Sequence, residues 1–308
     1  MEKVDVIIPV YKPDRGFLTM IEKLQAQTVP VSRIILMNTE QKYLDRLLYG
    51  TTLERENHNI TVKHLSKREF DHGRTRNQGV KLSRAEVFLM MTQDAMPADE
   101  YLVERLLNSL RGEKVAVAYA RQLPGRESSE AERYTRQFNY PDESRVKTKA
   151  DLSELGIKTF FCSNVCAAYR RDIFDKLGGF VNRAIFNEDM LYAAKAVEAG
   201  FGIAYEAQAK VYHSHNYTYR QQFKRNFDLG VSQAEHPEVF AAYPSESEGV
   251  RLVKGTVAHL KEKGMRSKIP DVIIQSGFKY MGYLMGKRYR RLPGRLVVAC
   301  SSNREYWS

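Results

Sequence analysis

Two acidic clusters and one histidine pair carry the side chains that can do chemistry. Asp94 directly follows an apolar run, in Met91-Thr92-Gln93-Asp94-Ala95. A carboxylate at the end of a buried strand can hold a divalent cation against a diphosphate, or it can cap a turn. The second cluster, Asn187-Glu188-Asp189, opens a helix after Gly178-Gly179-Phe180. Acids in a first helical turn are also favoured by the helix dipole alone, so chemistry and helix stability are both open readings. His213 and His215 alternate at a strand end and can point the same way, although packed or solvated imidazoles fit that spacing equally. Cys162 and Cys166 add thiols that would suit zinc, but on an expected strand both fall on one face, as buried structural cysteines do.

Nucleotide-binding motifs narrow the chemistry. No G-x-G-x-x-G follows the first strand; Val10-Tyr11-Lys12-Pro13 occupies that turn, which argues against a dinucleotide oxidoreductase. Gly282 to Lys287 has a superficial P-loop look, but it is one residue short and follows no strand. No Ser-His-Asp or Cys-His pattern suggests a covalent nucleophile.

The elements that must position these residues alternate strand and helix over the first 120 positions. Apolar runs at 4–10, 33–37, 60–65, 86–91 and 115–120 read as strands, and 17–27, 43–48, 75–83 and 99–110 as helices. Continuous apolar strands separated by helices predict a parallel sheet covered on both faces. Ligands of such sheets bind beyond the carboxyl ends of the strands, which directs attention to Asn38-Thr39-Glu40 and Gln93-Asp94-Ala95. Residues 121–158 read as a long, partly helical connection, 160–169 as a strand, 189–199 as a helix, and 203–205 and 210–213 as two short strands. Beyond Tyr219 the chain turns helical and aromatic.

Composition fits a globular protein: 308 residues, 43% hydrophobic and 28% charged, which excludes a wholly disordered or fibrous chain. Three cysteines argue against a disulfide scaffold and fit a reducing cytosol. The opening MEKVDVIIPVY lacks a basic leader and its apolar run meets Pro9, so it reads as a buried strand. No stretch approaches the roughly 18–20 apolar residues of a membrane span. The charge is uneven. Residues 251–308 hold thirteen Lys or Arg against Glu262, Asp271 and Glu305, leaving only about +1 of the total +11 to the first 250 residues. A basic tail seeks phosphate, whether on lipid, nucleic acid or an acidic partner.

Taken together, VIIPVYKPD, EFDHGRTRNQG followed by MTQDAMP, the GGF and the NED before a helix resemble glycosyltransferase family 2, and most closely its bacterial rhamnosyltransferase branch, over residues 4–220. The resemblance implies an α/β protein of GT-A fold, Rossmann-like, with a mostly parallel central sheet and helices on both faces. It implies a catalytic domain at 1–222 and a basic helical extension at 223–308. It gives Pro9, Val10 and Tyr11 to a nucleobase pocket, and Arg74 and Arg76 to donor phosphates. Asp94 takes the place of the metal-binding aspartate, with Gln93 beside it. Asp189 takes the place of the general base with Glu188 as its neighbour, and His213 or His215 that of a third metal contact. The implied cofactor is a divalent cation, Mg2+ or Mn2+. Two departures stand out: the metal motif has one acid rather than two, and Asn38, followed by Thr39 and Glu40, stands where an acid usually follows the second strand.

The chemistry agrees with that assignment, because inverting transfer needs one base for the acceptor hydroxyl and positive charge for the departing diphosphate. The expected activity moves a sugar, with dTDP-rhamnose as donor on resemblance alone, to a lipid-linked or polysaccharide acceptor in the making of bacterial surface polysaccharide. A UDP-sugar donor, or a silent GT-A scaffold that binds carbohydrate, remains the alternative. Ile273, Ile274, Phe278, Met281, Leu284 and Met285 recur at helical spacing among Lys279, Lys287, Arg288, Arg290 and Arg291, with Tyr280, Tyr283 and Tyr289 nearby. Such a helix suits an anionic membrane surface, so the expected place is the cytoplasm, peripheral to the inner face of the plasma membrane. Packing on the catalytic domain is the plainer alternative, and nucleic-acid binding is not expected, because no recognised module accompanies the tail.

Overall fold

The computed structural model describes residues 3–51, 59–215, 217–244 and 246–307. The elements run β1 (Val4–Tyr11), α1 (Arg15–Gln25), β2 (Val31–Thr39), α2 (Gln41–Leu48), β3 (Ile60–Leu65) and α3 (His72–Leu82). Next come β4 (Val87–Met91), β5 (Met96–Pro97), α4 (Leu102–Leu110), β6 (Val115–Leu123), α5 (Glu130–Asn139) and β7 (Arg145–Lys147). They continue with α6 (Leu152–Leu155), β8 (Cys166–Arg170), α7 (Arg171–Lys176), α8 (Glu188–Glu198) and β9 (Gly202–Tyr212). The chain closes with α9 (Tyr219–Glu235), α10 (Pro237–Phe240), α11 (Glu246–Glu262), α12 (Ile269–Lys287) and α13 (Gly294–Cys300).

The chain divides into two compact units. The first comprises Met1–Leu123, Asp142–Arg183 and Glu188–His213. It holds one sheet, in the order β3-β2-β1-β4-β8-β6-β9-β5, with β7 paired to β9. The β1–β2, β2–β3, β1–β4 and β6–β9 pairs are parallel. Strand β8 runs antiparallel to both β4 and β6, which the apolar pattern alone does not predict. Its direction matters for the site. The start of β8 lies against the carboxyl end of β4, with Cys166 opposite Met91, so the residues just before β8 arrive at the ligand edge of the sheet.

Successive β1 residues face opposite sides. Val4, Val6, Ile8 and Val10 join Phe17, Met20, Ile21 and Leu24, the apolar stripe of α1, in one core. Burying each such side chain contributes about 1.5–3 kcal/mol before the entropy of ordering is counted. Ile7 faces the other way, toward α3, where Gly79 permits the approach: a Cβ there would stand 2.4 Å from Ile7 Cγ2. Phe88, Tyr169, Phe174, Phe180 and Tyr192 stack and cross in a second, aromatic cluster.

Several local expectations change. Cys162 is not on a strand: residues 156–160 form a 3-10 turn and β8 begins only at Cys166. The two strands expected at 203–205 and 210–213 are one, β9, whose pairing with β6 slips between Glu206 and Lys210. Helix α3 starts three residues early because Asp71 Oδ1 accepts hydrogen bonds from the Gly73 and Arg74 amides.

The second unit comprises Pro124–Pro141, Ala184–Asn187 and Ser214–Ser308. Helices α9 and α12 meet on glycines. A Cβ on Gly282 would stand 2.2 Å from the Phe223 carbonyl oxygen, and one on Gly286 2.1 Å from that of Phe227. The glycines that gave 282–287 a P-loop look are therefore helix-packing residues. They also redirect the apolar face expected for this helix. Val272, Gly282, Tyr283 and Gly286 are buried, whereas Ile273, Ile274 and Met281 are about half exposed (51%, 48% and 47%). Ile185, Phe227, Val231, Val297 and Cys300 make a small core, and Asp228 ties the chain end down by accepting from Ser301 Oγ at 2.7 Å and the Ser302 amide at 2.9 Å.

Candidate active site

The acidic pair is built from the amino end of α8 and the turn before β8. Asn164 serves both acids: its amide N–H donates to Asp189 Oδ2 at 2.9 Å, and its Nδ2 donates to Glu188 Oε1 at 3.0 Å. Tyr169 Oη, buried in the aromatic cluster, donates to Asn164 Oδ1 at 2.7 Å and fixes which way the amide faces. Arg76 reaches Glu188 from α3, Nη1 to Oε1 at 3.3 Å. Gly73, one turn earlier, has no room for a side chain, since a Cβ would fall 1.7 Å from the Val181 carbonyl oxygen. The two glycines of HGRTRNQG thus seat the helix that carries Arg76.

The environments of the two acids pull them apart. Burial alone would raise Glu188, but Arg76, His72 and the Asn164 amide outweigh it and hold this carboxyl below its ordinary value. Asp189 is partly accessible yet set deep in the unit. Burial first, and the charge of Glu188 second, push it up to about 7, against the pull of the Asn164 and Met190 amides. One acid stays ionised while its neighbour is poised to take a proton near neutrality, the division of labour that acid–base chemistry needs.

Asp94 lies beyond β4 and His213 just beyond β9. His213 Nε2 stands 3.5 Å from Asp94 Oδ1. Gln122 Nε2 donates to Ser163 Oγ at 2.9 Å, which leaves its Oε1 to accept from His213 Nδ1 at 3.0 Å. Nδ1 is thereby engaged by Gln122, and Nε2 is turned toward Asp94. An imidazole oriented by an amide, beside a carboxylate, fits a divalent cation, and its nitrogen suits Mn2+ better than the oxygen-seeking Mg2+. His215 follows two residues later, in the second unit.

The turns carrying Asp94 and Asp189 are joined. The Thr92 amide donates to the Val165 carbonyl at 3.1 Å, and the adjacent Asn164 amide holds Asp189. Gln93 is committed to backbone: its Oε1 accepts from the Tyr11 amide at 2.7 Å and its Nε2 donates to the Tyr11 carbonyl at 3.0 Å, clamping the ends of β4 and β1 together. Of Pro9, Val10 and Tyr11, Val10 points into the core, Pro9 is half-buried and Tyr11 is exposed, edge-on to Tyr43. Asn38 is wholly buried and its Nδ2 lies 2.9 Å from His64 Nδ1. Glu40 turns the chain at φ 64°, and Lys12 does so at φ 50°. Arg74 donates to the Glu69 carbonyl and, with Lys63, His64 and Arg68, lines a basic cleft of about 300 Å³.

Along this edge, Asn38 Oδ1, Thr39 Oγ1, Arg76 Nε, Gln78 Oε1 and Thr92 Oγ1 are buried with no hydrogen-bond partner among the described residues. Unmet buried polar atoms are costly; those of Asn38, Thr39 and Thr92 lie at the carboxyl ends of β2 and β4, and those of Arg76 and Gln78 on α3. Sequence reasoning missed Asn164, Gln122 and His64. It also missed Lys147, which lies buried and donates to Tyr119 Oη at 3.1 Å, to the Lys158 carbonyl at 3.0 Å and to the Phe161 carbonyl, bracing the turn before Asn164. Only His64, at the carboxyl end of an expected strand, carried a readable signal. Cys162 and Cys166 are buried free thiols, both pushed up by burial, and Cys162 Sγ lies 3.9 Å from Tyr169 Oη.

A nine-stranded sheet with its polar residues gathered at one carboxyl edge is the GT-A class of fold. The chain belongs to Glycosyl transferase family 2, whose profile matches residues 5–178, and it is a glycosyltransferase. It is 36% identical over 308 residues to the O-antigen chain rhamnosyltransferase RfbN of Salmonella typhimurium, covering 99% of this chain and 96% of that one. It is 35% identical over 311 residues to the O-antigen chain rhamnosyltransferase WbaN of Salmonella anatum, covering 100% and 96%. Among solved structures, it shares its fold with the mannosyltransferase PcManGT of Pyrobaculum calidifontis in complex with GDP-Man and Mn2+, at TM-score 0.57 and 12% identity, covering 99% and 85%. TarS residues 1–349 of S. aureus, in complex with UDP-GlcNAc, gives TM-score 0.55 and 14% identity, covering 94% and 91%.

Proposed function

We propose that this chain is an inverting rhamnosyltransferase that moves the sugar of dTDP-rhamnose to a hydroxyl of a lipid-linked or polysaccharide acceptor in bacterial surface-polysaccharide synthesis. The observation that carries the reading is the acidic pair at the amino end of α8, with Asn164 bonded to both Asp189 and Glu188 and Arg76 set against Glu188. Full-length similarity to two O-antigen chain rhamnosyltransferases supports the choice of sugar.

In this reading Asp189 takes the proton of the acceptor hydroxyl as that oxygen attacks the anomeric carbon. The bond to the diphosphate breaks on the opposite face, its electron pair leaves with the diphosphate, and the configuration inverts. Glu188 stays charged, keeps Asp189 basic and is held by Arg76 and Asn164. Arg74 and the buried Nε of Arg76 face the donor phosphates. Asn38, Thr39 and Glu40 at the end of β2 meet the nucleoside, with Tyr11 against the base and Pro9 and Val10 forming the strand beneath it. Gln93 acts by positioning Tyr11. Asp94 and His213 would hold a divalent cation, Mn2+ in preference to Mg2+, and that ion would supply positive charge to the leaving diphosphate.

We further propose that the protein works in the cytoplasm, resting on the inner face of the membrane. Three buried free thiols suit a reducing compartment. Among the described residues no helix is long and apolar enough to cross a bilayer. Exposed Ile273, Ile274 and Met281 on α12, with exposed Arg288, Arg290 and Arg291 just beyond, suit contact with anionic lipid.

A thermal-shift and donor-hydrolysis panel of nucleotide sugars, with and without Mn2+, tests the reading. The largest shift and fastest hydrolysis are expected with dTDP-rhamnose plus Mn2+. A preference for a UDP-sugar would replace the donor, and binding of every donor without hydrolysis would point to a silent scaffold.

A further inference from the structure

The second unit contains a cleft of about 1030 Å³ among α5, α9, α11 and α12, at the upper end of the size range of small-molecule sites. Its acidic lining is already engaged. Glu132 accepts from Arg136 Nε at 2.8 Å, Glu246 accepts from Tyr283 Oη at 2.7 Å, and Asp271 accepts from Tyr219 Oη. Its lysines are not engaged. Lys279 and Lys254 line the cleft without a hydrogen bond or ion pair among the described residues. Burial draws the Lys279 ammonium below its ordinary value, and the one carboxylate that opposes this, Glu132, is committed to Arg136. A cation partly withdrawn from water and lacking a fixed counter-charge is complementary to an anion.

Apolar side chains share the rest of the wall with polar ones such as Thr135, Gln222, Asn226 and Gln275. Val250, Leu252 and Val253 come from α11, and Val272 from α12. Tyr280 of α12 lines the cleft and is also 58% exposed. By helical spacing it borders the exposed stripe of Ile273, Met281 and Ile274 on the same helix. A recess with two uncommitted lysines and an apolar run from α11, opening beside an exposed apolar stripe, matches a molecule with a phosphate head and a hydrocarbon chain.

We propose that this cleft binds the phosphate head and adjoining hydrocarbon of a lipid-linked acceptor, with Lys279 on the phosphate and Val250 and Val253 against the chain. The assignment rests on the transferase reading, which supplies the need for an acceptor. Phosphate on a hydrocarbon chain also occurs in bilayer phospholipid, so the test separates the two sources.

The full chain is titrated calorimetrically with farnesyl diphosphate, with inorganic diphosphate and with phosphatidylglycerol vesicles, as wild type, Lys279→Met and Lys279→Arg. Farnesyl diphosphate is expected to bind wild type at least tenfold more tightly than inorganic diphosphate. Lys279→Met should weaken it at least tenfold, Lys279→Arg should retain most of it, and saturating dTDP should not displace it. Should Lys279→Met fail to fold, Val253→Trp, which fills the cleft from another helix, is expected to abolish the same binding. Absent binding, binding unchanged by both variants, displacement by dTDP, or equal affinity for inorganic diphosphate would overturn the assignment. So would Lys279-dependent binding of vesicles alone. Donor hydrolysis by wild type is followed in parallel. Hydrolysis without Lys279-dependent prenyl binding removes the cleft assignment only, and prenyl binding without any hydrolysis removes the transferase reading.

Discussion

Arg76 Nη1 stands 3.3 Å from Glu188 Oε1, and the two side chains are only 7% and 6% exposed. Removing one member of a buried pair strands the other, at a cost of about 3–5 kcal/mol, whereas removing both together is far milder. Arg76→Met should therefore lower the urea midpoint sharply at neutral pH, and the double change Arg76→Met with Glu188→Gln should recover most of it. The sign with pH follows from Glu188, whose folded value lies below its ordinary 4.5. Its contribution is fully present above that value and lost as pH falls through the folded one, so the defect of Arg76→Met should shrink in acid. A defect that is constant across pH would remove the pair from the account.

Asp189 carries the opposite shift, from 3.8 up to about 7, caused first by burial and then by Glu188. The single-turnover rate should rise with pH through about 7 and then level off, and Glu188→Gln should move that limb to lower pH by removing the second cause. Stability runs the other way. Between about 4 and 7 the unfolded chain has released this proton and the folded chain has not, so Asp189 subtracts stability progressively as pH rises across that window. Asp189→Asn should melt higher than wild type at pH 8 and show no such gain at pH 3. A flat rate profile with an unchanged melt difference would show that Asp189 does not titrate as described.

Asn164 is bonded to both acids and to Tyr169, which makes it a positioning residue. In Asn164→Leu the backbone bond to Asp189 survives, but Glu188 and Tyr169 each lose a hydrogen bond, Glu188 keeping Arg76. The expected cost is about 1–3 kcal/mol of stability. Turnover of the folded enzyme should fall about 10- to 100-fold, with donor KM within threefold and the pH limb displaced. A purely structural role would lower the melting midpoint and leave kcat per folded molecule and its pH profile unchanged.

Chelation should stop turnover and Mn2+ should restore it. Asp94→Asn and His213→Gln should each raise the Mn2+ concentration giving half-maximal rate. Gln122→Leu, which removes the hydrogen bonds to the far nitrogen of His213 and to Ser163, should raise it about 10- to 100-fold. Titrating Mn2+ binding directly, by the paramagnetic signal of the free ion, separates this from a loss of activity. Full activity after exhaustive chelation would dismiss the site.

Much of the sheet was legible in the amino-acid pattern. Strands β1, β2 and β4 are largely buried on both faces and read as mainly apolar runs, whereas β3, at the sheet edge, is mostly exposed or half-buried, and the polar residues that end them fall where parallel sheets bind ligands. Asn164 was not legible, because nothing in the run 160–169 reveals that its first part turns and that β8 then runs backwards along β4. Gln93 looked like a substituted metal ligand, yet its amide matches the two backbone groups of Tyr11, a pairing visible only once β1 and β4 lie side by side. In α12 the periodicity gave a helix, but glycines rather than the large apolar residues chose its packed face, since Gly282 and Gly286, with Gly230 of α9, let its backbone reach that of α9. Apolar spacing says that a face exists, and close approach decides which face is covered.

The central claim is that Asp189 accepts the proton of the attacking hydroxyl. The direct measurement is sugar transfer and donor affinity, side by side, for wild type and Asp189→Asn, a change that keeps size and removes basicity. A positioned base is worth about 10²- to 10⁴-fold, so turnover should fall by at least a hundredfold while the donor dissociation constant stays within about twofold. Turnover within tenfold of wild type, with donor binding intact, would contradict the account.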